Sequence, residues 1–222
     1  MLRVIGVLMM AVVYMGASPV SAAELWPDAR AASASFSLAA KWQSALRGLA
    51  DDEARLAACR SDVWTCGDAE IRLEAIVASG RAREGRARIG EINRAVNLAI
   101  RPVSDERQFG VADYWSGPLE TLASGQGDCE DYAIVKLLAL QQAGIARSDL
   151  RLVIVRERAS RSAHAVAAVR FDGRWLLLDN RFLALVDIEH SHYRVLAQLE
   201  PDANVLRFAA IDAVTASAPG IR

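Results

Sequence analysis

Cys129 has a sequence context in which a thiol could act as a nucleophile. It follows Gly127-Asp128 and begins a stretch with helical spacing of apolar residues, so we expect it in the first turn of a helix. Unpaired backbone N–H groups and the helix dipole stabilise a thiolate at that position. The same N–H groups can hold an oxyanion during acyl transfer. The alternative is a buried, inert cysteine that faces the core.

A predicted hairpin supplies the base and the orienting group that a nucleophilic thiol needs. Asp172-Gly173 has the composition of a two-residue turn between two strands. When the register of this turn is extended along both strands, His164 and Asp179 lie diagonal to each other on one face. Diagonal neighbours are within side-chain reach. The sequence therefore predicts an imidazole beside a carboxylate, provided that no bulge interrupts either strand.

The two other histidines are competitors for the role of the base. His190 and His192 belong to a polar stretch, 189–193, that we expect to be a surface connection. An H-x-H pair can bind a metal ion, but no further Cys or His stands close to it in the sequence. A purely structural role for His164 is the other alternative.

Carboxylates crowd the predicted nucleophile, because Asp128, Glu130 and Asp131 are its neighbours in sequence. Like charge raises the pKa of a thiol and opposes thiolate formation. One explanation is that acids in a first turn cap the helix and interact favourably with its dipole. The other is a bound hard cation, since clustered carboxylates suit calcium and the ion would cancel the unfavourable field. The residues alone leave both explanations open.

The elements that position these residues are predicted from hydrophobic spacing and turn signals. Helices are predicted over residues 36–58, 68–80, 83–100 and 129–143. Strands are predicted over residues 150–156, 165–171 and 174–178. The turn-rich segment 102–127 contains three large aromatic residues, which is typical of a functional loop. Helices followed by antiparallel strands predict an α+β fold.

The N-terminus has the pattern of an export signal. Arg3 precedes an apolar stretch over 4–20, and small residues follow at the positions that a signal peptidase recognises. We therefore expect a signal peptide over 1–23 and one mature domain over 24–222 that has a helical N-terminal part and no stable membrane insertion. An uncleaved anchor is the alternative. A net charge of -1 gives no electrostatic reason to expect nucleic acid or anionic lipid as a partner.

The cysteine count is informative for an exported chain, since disulfides persist in oxidising compartments. Cys59 and Cys66 could form a local disulfide around Trp64. They could do so only if their segment is not a continuous helix, in which seven residues span roughly 10 Å. Cys129 is then the remaining thiol.

Several blocks of this sequence resemble one protein family. The blocks are residues 113–115, 118–122, 125–133, 164–166 and 178–180. In order and type they resemble the bacterial transglutaminase-like cysteine proteinases, which include the LapG-like periplasmic adhesin proteases. The similarity extends from about residue 83 to residue 186.

This resemblance implies a papain/transglutaminase-like fold, in which N-terminal helices and the nucleophile helix pack on an antiparallel sheet. It implies a cysteine endopeptidase with Cys129 as nucleophile, His164 as general base and acid, and Asp179 as the group that orients the histidine. In such a fold the backbone N–H of the nucleophile is one oxyanion donor. Trp115 and Gln126 are candidates for a second donor or for substrate contact.

The resemblance also implies bound Ca²⁺, which maps onto Asp128, Glu130 and Asp131. It implies periplasmic action on the N-terminal region of a large surface adhesin, with consequences for attachment and biofilm. A cyclic-di-GMP-responsive inner-membrane receptor is implied as the regulator. Two alternatives stay open: a transglutaminase or amidase that uses the same triad, and a non-catalytic binding module with this fold.

Overall fold

The computed structural model describes residues 29–31, 36–157, 162–201 and 206–209. The predicted signal peptide, 1–23, lies outside these residues. Among the described residues, no helix is both long enough and apolar enough to cross a membrane.

The described residues contain six α-helices. They are α1 (Phe36–Ser61), α2 (Asp68–Arg81), α3 (Gly85–Ala99), α4 (Asp105–Gln108), α5 (Pro118–Ser124) and α6 (Cys129–Gln142). The four helices expected from hydrophobic spacing correspond to α1, α2, α3 and α6. The two short helices lie in the segment that the sequence predicts to be turn-rich. Pro118 in the first turn of α5 and Gly125 with φ 64° at its end are the local signals for that helix.

Within the described part of the chain, nine strands form a seven-stranded antiparallel sheet and a two-stranded parallel pair. In chain order the strands are β1 (Ala29–Ala31), β2 (Arg101–Pro102), β3 (Gln126–Gly127), β4 (Leu150–Glu157), β5 (Ala163–Phe171), β6 (Arg174–Leu178), β7 (Val186–Asp187), β8 (Tyr193–Leu199) and β9 (Leu206–Ala209). The sheet order is β1-β9-β8-β4-β5-β6-β7, and β2 and β3 form a separate parallel pair. The predicted α+β class, with helices packed on an antiparallel sheet, is therefore confirmed.

Strand β8 is an element that the sequence analysis missed. The stretch 189–193, expected to be a surface connection, passes through a 3₁₀ turn and leads directly into β8, which pairs with β4 in the middle of the sheet. The pairing of β8 with β4 joins residues about forty positions apart, so no local turn signal announces it.

The β5–β6 hairpin has the register that its turn predicts. Asp172 and Gly173 both have positive φ, 49° and 75°, as the tight turns that join antiparallel strands require. Pairing is continuous from Phe171–Arg174 to Ala167–Leu178. Beyond that last pair the chain turns away from the ladder, and this turn begins at Asp179.

Helix α6 is the central element of the fold. It contacts β4 and β5 on one side and α1, α2, α3 and α5 on the other. Every residue from 129 to 140 is buried, because layers cover the helix on both sides. Any polar side chain within this span must find its partner inside the protein.

Candidate active site

Cys129 is the first residue of α6, after Asp128 at the N-cap. Its side chain is 4% exposed, and its Sγ atom accepts the backbone N–H of Ala165 at 3.4 Å. Because Ala165 follows His164 in β5, the sulfur lies against the strand that carries the predicted base. The thiol also donates to Glu130 Oε2 at 3.2 Å.

His164 and Asp179 form a buried pair. The Nε2 atom of His164 lies 2.9 Å from Asp179 Oδ1. The same carboxylate accepts the backbone N–H of Arg181 on Oδ1, and on Oδ2 it accepts the hydroxyl of Tyr193. Burial alone would raise the pKa of Asp179, but the bonds from His164, Tyr193 and the Arg181 backbone outweigh burial and hold this pKa below its usual range. Asp179 is therefore a preformed anion beside the imidazole.

Two side chains from helices hold the backbone at Asp179. The Lys136 Nζ atom, on α6, donates to the carbonyl of Leu178 at 2.9 Å. The Asn97 Nδ2 atom, on α3, donates to the carbonyl of Asp179 itself at 2.9 Å. Sequence reasoning missed both contacts, although a lone lysine within the apolar run of α6 was a visible signal.

A cleft of about 440 Å³ opens beside the thiol. Residues from the 102–107 segment, from the start of α6, from β5 and from the 180–181 turn line it. Cys129 and His164 both belong to its wall, whereas Asp179 lies behind the imidazole. Cys129 and His164 therefore face the same cleft.

The acidic cluster beside Cys129 is larger than the sequence predicts. The fold brings Asp105 and Asp113, from the loop before α5, to the three acids of the α6 start. Carboxylate oxygens of Asp105, Asp113 and Glu130 lie within 4.8 Å of one another, and those of Asp105, Asp128 and Asp131 do so as well. Asp113 also forms an ion pair with Lys41 of α1. Neither loop acid has a sequence spacing that links it to Cys129.

The cluster divides into satisfied and unsatisfied oxygens. Asp131 accepts the backbone N–H of Ser116 on one oxygen, at 2.9 Å, and that of Asp128 on the other, at 3.1 Å. Asp131 therefore caps the helix and anchors the loop. In contrast, Asp105 Oδ1, Asp128 Oδ1 and Glu130 Oε1 are buried and have no hydrogen-bond partner within the described part of the chain.

Burial raises the pKa values of these carboxyl groups. It raises the pKa of Glu130 far above its usual range, with the Asp128 charge adding to the effect, and it also raises the pKa of Asp128. Burial raises the pKa of Asp131 to about 8. It raises the pKa of the Cys129 thiol too, and the charge of Glu130 adds to that increase. Without a counter-charge the thiol is held in its protonated form.

The donor set fits a hard divalent cation. Calcium takes six to eight oxygen ligands and prefers carboxylates and carbonyls. Asp105, Asp113, Asp128 and Glu130 offer several oxygens, three of them without hydrogen-bond partners among the described residues. A cation at this position would compensate the buried negative charge that the protein itself leaves uncompensated.

The two candidate oxyanion residues lie elsewhere. Trp115 is buried, and its indole N–H donates to Asp113 Oδ1 at 2.9 Å. Gln126 belongs to β3, where it pairs with Arg101. Among the described residues that line the cleft, neither of the two is present. Their contribution to the oxyanion stays a prediction.

The other predicted features are also located. His190 lies 3.9 Å from Asp187 on the surface, and neither His190 nor His192 belongs to a group of metal-ligating residues in the described chain. Cys59 and Cys66 form a disulfide, with Cα atoms 4.7 Å apart. The helix α1 ends between them, at Ser61, which satisfies the geometric condition for the pair.

Comparisons with known proteins agree with this geometry. The sequence model of the bacterial transglutaminase-like cysteine proteinases (BTLCP) matches residues 56–214, well over half of the chain. A comparison with curated protein sequences finds no significant match.

Among solved structures, Legionella pneumophila LapG is similar at a TM-score of 0.56 and 22% identity, over 72% of this chain and 88% of that chain. The EGTA-treated form has a TM-score of 0.57 and 21% identity, over 73% and 87%. The calcium-bound form has a TM-score of 0.55 and 22% identity, over 70% and 87%. At these identities the structures establish a shared fold. The match of the sequence model establishes more: this chain belongs to the bacterial transglutaminase-like cysteine proteinase family.

Proposed function

We propose that this chain is an exported cysteine endopeptidase that cuts a cell-surface adhesin near its N-terminus and thereby controls attachment and biofilm formation. One observation carries the hydrolytic part of the proposal. The thiol of Cys129 lies at a helix N-terminus against β5, whose His164 is hydrogen-bonded to Asp179 at 2.9 Å. The periplasmic location rests on the predicted signal peptide, and the adhesin substrate rests on family membership.

The hydrogen bonds of His164 indicate which of its ring nitrogens acts as the base. Asp179 engages the Nε2 atom of His164, so the Nδ1 atom is the ring nitrogen that takes the thiol proton. The Cys129 sulfur then attacks the peptide carbonyl, and the oxyanion is received by the backbone N–H at the start of α6. The imidazolium returns its proton to the leaving amine, which leaves a thioester. Water, deprotonated by His164, releases the acid and the free thiol.

Calcium belongs to this proposal as a bound cofactor. Asp105, Asp113, Asp128 and Glu130 would hold it, with Asp131 fixing the loop and the helix start around them. A bound ion supplies positive charge next to the thiol and so offsets the carboxylate field that opposes the thiolate. The existence of calcium-bound and EGTA-treated LapG structures supports this assignment.

The remaining partner is a regulator. We propose a cyclic-di-GMP-responsive inner-membrane receptor, by analogy with the family, as the protein that restrains cleavage.

The experiment that tests the nucleophile measures the rate of iodoacetamide labelling at Cys129 against pH, by mass spectrometry. It uses the mature protein and His164→Ala, each with calcium and with EGTA. Fast labelling near neutral pH that needs both His164 and calcium supports an activated thiolate. Labelling that rises only above about pH 8, as for an ordinary thiol, and that ignores His164 overturns the proposal and favours a binding module.

A second measurement tests the outcome of the reaction. The N-terminal region of an adhesin from the same cell is incubated with the wild-type protein and with Cys129→Ala, in the presence and absence of dansylcadaverine. We expect cleavage at one site by the wild-type protein only. Residual cleavage by Cys129→Ala would remove the nucleophile assignment, and incorporation of the amine in place of cleavage would identify a transglutaminase.

A further inference from the structure

Lys136 is a buried cation for which the proposed reaction has no direct use. It lies on α6, two turns after Cys129, and its side chain is fully buried. Its Nζ atom donates to the carbonyl of Leu178 and lies 5.8 Å from the centre of the Tyr132 ring. The charge of Asp179 acts on it and favours its protonated form.

A lysine at such a position is costly for the fold. Burial lowers the pKa of Lys136 to about 7, and the charge of Asp179 only partly opposes this decrease. Replacing a buried charge by an apolar side chain of similar volume is often neutral or stabilising. Stability therefore gives no reason for a lysine within the otherwise apolar stretch from Ala133 to Leu140. The need to hold the active-site residues in position does give a reason for it.

The hydrogen bond from Lys136 to the Leu178 carbonyl is made at the end of the β5–β6 ladder. The last pair of the β5–β6 ladder is Ala167–Leu178, and Asp179 is the next residue. From there the carbonyl of Leu178 accepts from Lys136, and the carbonyl of Asp179 accepts from Asn97 and, at 3.4 Å, from the backbone N–H of Phe182. Because Lys136 lies on α6, its hydrogen bond connects that turn directly to the helix that carries Cys129.

We propose that Lys136 is a positioning residue, which holds the turn at Leu178–Asp179 in register with the nucleophile helix so that Asp179 can orient His164 toward Cys129. This inference rests on the proposed function, because it assigns Lys136 a role in the same triad. Lys136 touches neither the substrate nor the reacting atoms. It acts through the backbone of the residue before Asp179 and through its charge.

The test compares two methionine substitutions on the same helix. Lys136→Met removes the donor and the charge while keeping the length of the side chain, and Leu140→Met is the control, since Leu140 is equally buried. Iodoacetamide labelling of Cys129 is measured against pH in calcium, and thermal unfolding is measured in parallel. We expect Lys136→Met to unfold at or above the wild-type temperature but to label about tenfold more slowly near neutral pH. Leu140→Met should keep the wild-type profile.

A double variant separates positioning from a general disturbance of packing. If Lys136 acts through Asp179, Lys136→Met adds no further loss to Asp179→Asn, whereas independent effects would multiply. A folded Lys136→Met protein with the wild-type labelling profile overturns the inference. If that variant does not fold, Lys136→Leu replaces it, because leucine also lacks a donor, and a folded Lys136→Leu protein with the wild-type profile has the same consequence.

Failure of this inference is distinguishable from failure of the proposed function. If Asp179→Asn and His164→Ala lose reactivity while Lys136→Met does not, only the role of Lys136 is rejected. If His164→Ala labels like the wild-type protein, the triad itself is rejected, whatever the Lys136 variant does.

Discussion

The two sides of the Cys129 thiol are built in opposite ways. On the sheet side, both carboxylate oxygens of Asp179 accept hydrogen bonds, from His164, Tyr193 and the Arg181 backbone, and its pKa is held low. On the loop side, Glu130 and Asp128 each retain a buried oxygen without a partner among the described residues, and their pKa values are raised.

This difference shows on which side of the thiol the protein itself supplies the hydrogen-bond partners of its buried carboxylates. An anion with a full set of donors is stable without a counter-ion, so the sheet side is organised before any ligand binds. Unpaired buried carboxylates are costly unless a cation joins them. We therefore expect the sheet side to depend on individual side chains and the loop side to depend on calcium. Each prediction below changes one side and leaves the other intact.

The largest effect is expected from Asp179→Asn on the sheet side. An amide cannot accept from all three donors, so it must turn an NH₂ group toward one of them and lose the orientation of His164. We expect the cleavage rate to fall about 10³- to 10⁴-fold, as for the equivalent change in a catalytic triad. Asp149→Asn is the control, since Asp149 pairs with Arg170 outside the cleft. A cleavage rate within a few-fold of the wild type would show that Asp179 does not orient the base.

Removal of calcium is expected to have the next largest effect. Burial raises the pKa of the Cys129 thiol, and the charges of Glu130 and Asp128 add to this increase. Each tenfold loss of thiolate corresponds to an increase of one in that pKa. In EGTA we expect labelling of Cys129 by iodoacetamide to slow about 100-fold or more near neutral pH. Calcium should restore the rate, whereas magnesium, which needs a stricter octahedral site, should not. An unchanged rate in excess chelator would remove the ion from the proposal.

The stability of the calcium-free protein should depend on pH in an unusual direction. The pKa of Asp131 is about 8 in the folded state and about 4 in an unfolded chain. Between these values the folded state binds more protons, so its stability is greatest near pH 4 and is lost as the pH rises toward 8. We expect the equilibrium constant for unfolding to increase by up to about tenfold per pH unit for each such carboxyl group.

Chemical denaturation in EGTA at several pH values measures how the free energy of unfolding changes with pH. Saturating calcium should abolish or reverse it, since the bound ion favours the deprotonated carboxylates. Stability that increases from pH 4 to pH 8 in EGTA would mean that the loop-side acids are already compensated within the protein.

The two sides also differ in how far the sequence predicts them. The turn at Asp172-Gly173 sets the register of the β5–β6 hairpin. Because side chains alternate between the two faces of a strand, this register predicts where His164 and the start of the turn at Asp179 lie. Likewise the N-cap at Asp128 locates the nucleophile at the first turn of α6. These inferences depend only on local geometry that extends over a few residues.

The loop side required information that local patterns do not contain. Asp105 and Asp113 reach Glu130 because of the path of the 102–127 loop, and that path depends on contacts with α1 and α6. Tyr193 was missed for a similar reason, since its strand pairs across the sheet with β4. Long-range pairing of this kind has no short sequence signature.

Tyr193→Phe is the smallest change that still tests the sheet side. It removes one hydroxyl, which donates to Asp179 Oδ2 and accepts from Arg181. A hydrogen bond to a charged group contributes about 1.5–3 kcal/mol, of which only the part that orients His164 affects the rate. We therefore expect about a tenfold decrease in cleavage.

Tyr114→Phe provides the matched control for this change. Its hydroxyl donates to Glu120 on an exposed ring, away from the His164–Asp179 pair, so the cleavage rate should remain at the wild-type value. Equal effects of the two substitutions would mean that the Tyr193 hydroxyl does not position Asp179. Loss confined to Tyr193→Phe, unchanged by added calcium, would show that the sheet side fails independently of the loop side.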